Sequence, residues 1–189
     1  PLGLAKNSYI LFLSRLVPEK GCHTLIAAFR TLRTDLKLVI VGPPTHSEEY
    51  AEELHALARG DSRIVFAGPQ FGPSKDALFR DAFRFVLPST IEGMAIVLLE
   101  AMSFGKACLC SNIPENLEVI QTAQRELVAS TFVTEDIADL ARRIDELLGQ
   151  PELATKLGQR ALEHVSASFD WERIVRQYVT RYEMLLRTA

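Results

Sequence analysis

The sequence predicts an α/β fold: a parallel sheet of about six strands with helices on both faces, followed by a C-terminal helical extension. Three observations carry this. Short continuous apolar runs, such as Tyr9-Ile10-Leu11-Phe12-Leu13, mark strands buried on both faces. Between them lie segments whose apolar residues recur at helical spacing. Strand and helix alternate, which points to crossover units and a parallel sheet with right-handed connections.

The elements follow in order. The first strand ends in Ser14-Arg15-Leu16-Val17-Pro18-Glu19-Lys20-Gly21, and a helix from His23 to Leu32 carries Leu25, Ile26, Phe29 and Leu32 on one face. A second strand, Leu36 to Val41, is stopped by Gly42-Pro43-Pro44. Ser47-Glu48-Glu49 opens the next helix, with acids where the helix dipole favours them. Ile64 to Ala67 is the third strand, and Pro73-Ser74-Lys75-Asp76 starts a helix with Leu78, Phe79 and Ala82 inward. Arg84 to Leu87 is the fourth strand; a loop leads to a helix from about Ala95. Ala107 to Cys110 is the fifth strand, followed by a polar turn into a short helical piece near Leu117 to Ile120. Leu127-Val128-Ala129 is expected as the last strand. Beyond Asp136 the chain reads as three helices: Ile137 to Leu148, Pro151 to about Ser166, and Trp171 to Leu186. Pro151 suits a first helical turn and Asp170 an N-cap.

Composition narrows the function. Of 189 residues, 48% are apolar and 24% charged, the profile of a globular protein. A net charge of −3 without a Lys/Arg stripe argues against nucleic acid as a partner. No apolar run approaches the roughly 18 residues of a membrane span, and no signal-peptide pattern is visible. Cys22, Cys108 and Cys110 are an odd set, which fits reducing conditions and an expected cytoplasmic location. Cys108 and Cys110 share one side of a strand and read as small buried residues. The four histidines, His23, His46, His55 and His164, lack ligand spacing, so no metal site is expected. His46 and His55 read as surface or structural groups, and Glu48, Glu49, Glu52 and Glu53 as a solvated face. Residues 1–7 read as a linker ahead of a single domain, and the chain is expected to be a fragment of something longer.

Chemistry concentrates between Phe85 and Gly105. Glu92 lies in the loop after the fourth strand, beside Gly93, and Glu100 lies in the following helix among Ile96, Val97, Leu98, Leu99, Ala101 and Met102. A helix apolar all round is expected to be buried. A carboxylate on it costs several kcal/mol unless hydrogen-bonded. The site falls beyond a strand's carboxyl end, where open α/β sheets bind ligands, and free amides at the helix start favour an anion. Gly-x-Gly-x-x-Gly and Walker loops are missing. Phosphate binding would therefore rest on that helix end and on Arg15 and Lys20, a planar fork and a point charge on the same rim.

These residues carry a resemblance. Ser14 to Gly21 resembles the S-R-x-x-x-x-K-G segment of GT-B glycosyltransferases of family 4. Pro88 to Met102 (PSTIEGMAIVLLEAM) resembles their P-S-x-x-E-G-x-x-x-x-x-L-E-A-M motif. Ala77 to Ala82 resembles the helix leading into it, and Asn112 to Ile120 the loop that follows, with Glu118 at the acidic position. Phe169-Asp170-Trp171-Glu172 resembles the opening of the closing helix, 171–189. The ordered set covers nearly the whole chain. It implies one Rossmann-like half of a two-domain GT-B enzyme: the C-terminal, donor-binding half, without the N-terminal acceptor domain.

The resemblance also implies roles. Arg15 and Lys20 would contact the diphosphate of a nucleotide-diphosphate sugar and stabilise charge on the leaving nucleotide, without a metal or other cofactor. Glu100 would accept hydrogen bonds from the ribose hydroxyls. Glu92 would lie near the transferred sugar, with backbone amides of Gly93, Met94, Ala95 and Ile96 facing sugar or phosphate. Gly93 would let the backbone approach the ligand, and Gly42 and Gly68 would line the nucleotide side. Transfer would retain anomeric configuration, with neither carboxylate a free nucleophile. The acceptor would be a growing glycan or lipid, the setting polysaccharide biosynthesis, with peripheral membrane association of the full-length enzyme possible. Met94-Ala95 replaces a frequent Phe-Gly, which leaves the sugar open. Trp171 and Tyr182 are expected to pack the closing helix; its outer face, which in full-length relatives meets the other domain, is expected to be exposed. Two other readings stand beside this: a GT-B-like sugar-nucleotide epimerase, and a non-catalytic α/β regulatory domain.

Overall fold

The computed structural model describes residues 3–44 and 48–188. Ser47, assigned above to a helix start, and His46, read above as a surface or structural group, lie outside the described residues, as do the first two residues of the linker and Ala189. Six parallel strands form one sheet: β1 (Tyr9–Leu13), β2 (Lys37–Val41), β3 (Ile64–Phe66), β4 (Arg84–Leu87), β5 (Cys108–Ser111) and β6 (Ser130–Phe132), in the order β3-β2-β1-β4-β5-β6. The helices are α1 (Cys22–Thr31), α2 (Glu48–Ala58), α3 (Gly72–Asp81), α4 (Ile96–Ser103), α5 (Pro114–Ile120), α6 (Ile137–Gly149), α7 (Pro151–Ser168) and α8 (Trp171–Thr188). The strand order is that of a doubly wound Rossmann-like sheet, and its direction reverses between β1 and β4.

Side-chain alternation along the strands splits the core in two. Ile10 and Phe12 of β1 join Leu25, Ile26 and Phe29 of α1 and Leu140 and Ile144 of α6 on one face. Tyr9 and Leu11 join Phe79 of α3, Leu98 and Met102 of α4, and Val119 of α5 on the other. Cys108 and Cys110 both point to this second face, as their two-residue spacing implies, and burial pushes their thiols up. Helix α7 closes the open end: Ala154 reaches the first cluster and Ala161 the second. Gly158 makes the close approach possible, because a Cβ there would meet the Gly105 carbonyl oxygen at 2.2 Å.

Three expectations are corrected. The last strand is Ser130–Phe132, three residues beyond Leu127-Val128-Ala129. Val128 and Ala129 are buried against α5 and α7 by tertiary packing, and the ladder to β5 begins only with Ser130 opposite Leu109. Helix α4 is not enclosed all round, since Ile96 is 63% exposed. Trp171 and Tyr182 do not pack the closing helix: they are 76% and 62% exposed. Along α8, Val175, Tyr178, Val179 and Leu186 are exposed as well, so the expected apolar face is there, and it is wider than expected. Asp170 does cap α8, accepting from the Arg173 N–H at 2.8 Å. Glu48, Glu49, Glu52 and Glu53 are solvated, and His55 packs on the Phe66 ring.

Candidate functional site

At the reversal between β1 and β4, the loops leaving the carboxyl ends of β1, β2, β3 and β4 surround a cleft of about 330 Å³. Its walls are Ser14 and Arg15 after β1, Gly42 and Pro43 after β2, Pro69, Gln70 and Phe71 after β3, Lys75 of α3, and Ile96, Val97 and Glu100 of α4. Two glycines let the loops come this close. Gly42 has φ 150°, and a Cβ there would sit 1.7 Å from the Ser14 carbonyl oxygen. Gly21 has φ 66°, and a Cβ would sit 2.1 Å from the Pro88 carbonyl oxygen. The left-handed Gly21 ends a single 3-10 turn, Pro18–Lys20, and starts α1. The Thr90 N–H donates to the Glu19 carbonyl at 2.9 Å, so the β1 and β4 loops are tied together.

That tie places Lys20 beside Glu92, with Nζ 2.8 Å from Oε1 and side chains only 12% and 8% exposed. Glu92 also accepts from Ser89 Oγ at 2.7 Å. Behind it lies a buried polar chain: Ser111 Oγ donates to the Ser89 carbonyl, and Asn116 Nδ2 donates to Ser111 O at 3.1 Å and Oγ at 3.0 Å. Asn116 Oδ1 is buried without a partner, so the chain is closed on its donor side only. An enclosed charge needs such company, since several kcal/mol of solvation are lost on burial.

Glu100 sits differently. Its side chain is 36% exposed on the cleft wall, and Lys75 Nζ lies 2.5 Å from its Oε1. The burial expected from its apolar neighbours is therefore overturned: the helix turns Leu98, Ala101 and Met102 inward and Glu100 toward the cleft. Arg15 is exposed on the opposite wall with no carboxylate partner among the described residues. Helix α4 begins at Ile96 after an N-cap, Ala95, that offers no side-chain acceptor. Three cations and two carboxylates thus leave one net positive charge, and α4 starts beside them without a side-chain cap, its Ile96 N–H donating to the Met94 carbonyl at 2.8 Å. The cleft is built to take an anion, and Glu100 is its accessible acceptor.

Of the residues singled out from the sequence, Arg15, Gly42, Ile96 and Glu100 line the cleft together. Lys20 and Glu92 form the adjoining ion pair. Gly93, Met94 and Ala95 connect that pair to α4; Met94 is 55% exposed and Ala95 buried. Gly93 has open space around its Cα and no left-handed φ, so nothing in the chain itself requires glycine there. Gly68 stands behind the wall, with φ 64° and its carbonyl accepting from the Gly42 N–H at 3.1 Å. Glu118 is exposed on α5. Sequence reasoning missed Lys75 as the partner of Glu100. It also missed Phe71, which stands 77% exposed at the cleft mouth. The exposed ring beside Gly68-Pro69-Gln70 was the available signal for Phe71. Lys75 gave none, because a lysine in a first helical turn reads as solvated.

Comparison with known proteins places this arrangement. The family model described as glycosyl transferases group 1 matches residues 2–164. The spore coat protein SA of Bacillus subtilis is 30% identical over 193 residues, covering 96% of this chain and 50% of that protein. The N-acetyl-alpha-D-glucosaminyl L-malate synthase of Bacillus anthracis is 31% identical, covering 98% of this chain and 48% of that one. Among solved structures, Anabaena Alr3699/HepE in complex with UDP and glucose superposes with a TM-score of 0.87 at 23% identity, over 97% of this chain and 50% of that one. The chain spans about half the length of the relatives it matches. Its sheet is one Rossmann-like half of the GT-B architecture, and the chain belongs to the glycosyl transferases group 1 family.

Proposed function

We propose that this chain is the donor-binding half of a retaining, metal-independent glycosyltransferase of the family 4 type, which moves a sugar from a nucleotide-diphosphate donor to a glycan or lipid acceptor. The observation that carries the reading is the meeting of Arg15, the uncapped start of α4 and Glu100 in one cleft at the reversal between β1 and β4. A nucleotide diphosphate offers complementary groups: two phosphates for the cations and helix end, and a ribose diol for the carboxylate. The HepE structure, a complex with UDP and glucose, supports the same ligand class.

In this reading Arg15 meets the diphosphate directly, because no carboxylate holds it back. Lys20 stays bound to Glu92 and shares its remaining donors with phosphate. As the bond from sugar to phosphate breaks, negative charge grows on the leaving diphosphate. Arg15, Lys20 and the amides of Gly93 to Ala95 stabilise it, a role worth a few kcal/mol per well-placed group and one that a divalent cation fills elsewhere; the Ile96 N–H is taken by the Met94 carbonyl at 2.8 Å. Glu92, compensated by Lys20 and Ser89, is a weak nucleophile; it orients the sugar and stabilises positive charge on its ring. Glu100 exchanges part of its contact with Lys75 for the ribose hydroxyls. The acceptor is held by the other half of the full-length enzyme, so this chain alone binds donor and turns over little.

A calorimetric titration with UDP, ADP and GDP tests the reading. At least one should bind, and Arg15→Ala should weaken it by about 10- to 100-fold, the loss of a charge-assisted contact. Equal affinity in Arg15→Ala, or no binding by any of the three, contradicts the proposal. In the full-length enzyme, a product of inverted anomeric configuration or loss of turnover on adding EDTA would reject the finer assignment.

A further inference from the structure

At the opposite end of the sheet, below the amino ends of β4 and β5, a second cavity of about 230 Å³ is lined by Asn7, Phe83, Arg84, Lys106 and the first turn of α7. It is smaller than the ~300 Å³ typical of drug-sized ligands, which limits an occupant to a small molecule or a headgroup. Its charge is one-sided. Arg84 is 9% exposed, its guanidinium stacks 3.7 Å above the Phe83 ring, and its single hydrogen bond runs from Nη1 to the Phe83 carbonyl. Among the described residues, four of its five N–H donors have no partner, and one of them, Nε, is fully buried. Burial pushes this guanidinium down to about 10, the mark of a cation short of counter-charge. Lys106 Nζ donates to the carbonyls of Arg80 at 2.6 Å and Ala82 at 3.0 Å, and one ammonium donor remains. Burial lowers the Lys106 ammonium too, with Lys6 and Arg84 adding to the effect and Asp81 opposing it. Asp81, the acid that acts on Lys106, also pairs with Arg80 at 3.4 Å and does not line the cavity. The first turn of α7 forms the remaining wall through Pro151, Ala154 and Thr155, and it adds no free amide: Pro151 has no N–H, and the Ala154 N–H donates to the Gln150 carbonyl at 3.1 Å. Glu152 in that turn is exposed and does not line the cavity.

A buried guanidinium with no carboxylate partner among the described residues is costly, and a bound anion would complete its donor set. We propose that this cavity is a phosphate-binding site, distinct from the donor cleft, that takes a small phosphate monoester or the phosphate of a lipid headgroup through Arg84 and Lys106. A planar guanidinium and an ammonium are donors that a phosphate dianion accepts well. The inference does not rest on the donor reading, because the two sites share no residue.

The test uses the isotope-labelled 189-residue chain, titrated with inorganic phosphate at constant ionic strength and followed by amide chemical shifts. Saturable shifts are expected at Asn7, Gly105, Lys106 and Thr155. Thr155→Glu places a carboxylate at the exposed rim of the cavity and Lys106→Met removes one cation. Each should weaken phosphate at least tenfold. Thr155→Glu sits at a solvated helical position, so it keeps the question open to test if Lys106→Met fails to fold. Shifts confined to Arg15 and the start of α4 would overturn the proposal, as would shifts that track ionic strength without saturating or affinity unchanged in Thr155→Glu. A second arm separates the sources. Co-sedimentation with phosphatidylcholine vesicles containing phosphatidic acid, lost in Thr155→Glu, assigns a lipid phosphate. Saturable phosphate binding without vesicle binding assigns a soluble monoester.

Discussion

Lys20→Met would leave the Glu92 carboxylate, 8% exposed, with Ser89 as its one remaining side-chain donor. Breaking an enclosed pair from one side costs about 3–5 kcal/mol, because the stranded charge cannot recover its water. Urea denaturation should show a loss of that order, and Lys20→Met combined with Glu92→Leu should regain most of it. A single-variant cost near zero would mean that the pair is solvated. Lys75→Met should behave otherwise. Its partner Glu100 is more than a third exposed, so the pair contributes at most about 1 kcal/mol. The same variant frees Glu100 for the ribose and removes one of the three cations of the cleft, so its affinity for nucleoside diphosphate should fall less than that of Arg15→Ala. The two acids differ in this way although both follow from one motif. The spacing from Glu92 to Glu100 is legible as letters. Which of them is enclosed depends on Gly21 and Thr90, which draw the β1 loop over Glu92 from far along the chain. Local apolar neighbours suggested the reverse.

Among the elements, α6 packs on the sheet through Leu140 and Ile144 and is tied to the end of β6 by one acid. Asp139 in its first turn accepts the Val133 N–H at 2.8 Å, and it also meets Arg142. The Val133 N–H, and after it Arg142, hold the Asp139 carboxyl below its ordinary value of 3.8. A depressed carboxyl stabilises the fold above its unfolded pKa and loses that contribution as pH falls through the folded one. Asp139→Ala should therefore cost about 1–2 kcal/mol at neutral pH. The difference between variant and parent should shrink as pH drops below 3.8. A difference independent of pH would place the effect elsewhere. At the other extreme stands α8, where every residue from Trp171 to Leu186 except Ile174 is exposed. An unsupported helix of this length is marginal in water. Hydrogen exchange should be fast across α8 and slow in β1, β2 and β4, and equal protection would show that the helix is packed. The helices were legible in their periodicity to within a few residues. The last strand was not, since Val128 and Ala129 look like a strand by composition and are buried by packing instead.

For the whole molecule, alternation predicted the parallel sheet, and the order β3-β2-β1-β4-β5-β6 puts the reversal where the motifs converge. No helix among the described residues is long and apolar enough to cross a membrane. The sequence did not disclose that cation pairs subdivide the cleft, nor the cationic cavity at the far end of the sheet, because Arg84 and Lys106 lie in unremarkable segments that only the fold brings together. The central claim is that the cleft reads a nucleotide by its diphosphate at Arg15 and by its ribose diol at Glu100. The most direct measurement is a thermodynamic cycle by calorimetry: UDP against 2′,3′-dideoxy-UDP, in the parent chain and in Glu100→Gln. The account predicts that removing the hydroxyls weakens binding about tenfold or more in the parent chain and much less in Glu100→Gln, the coupling expected of a charged hydrogen bond. Equal losses in both chains, with no coupling between carboxylate and diol, would contradict it.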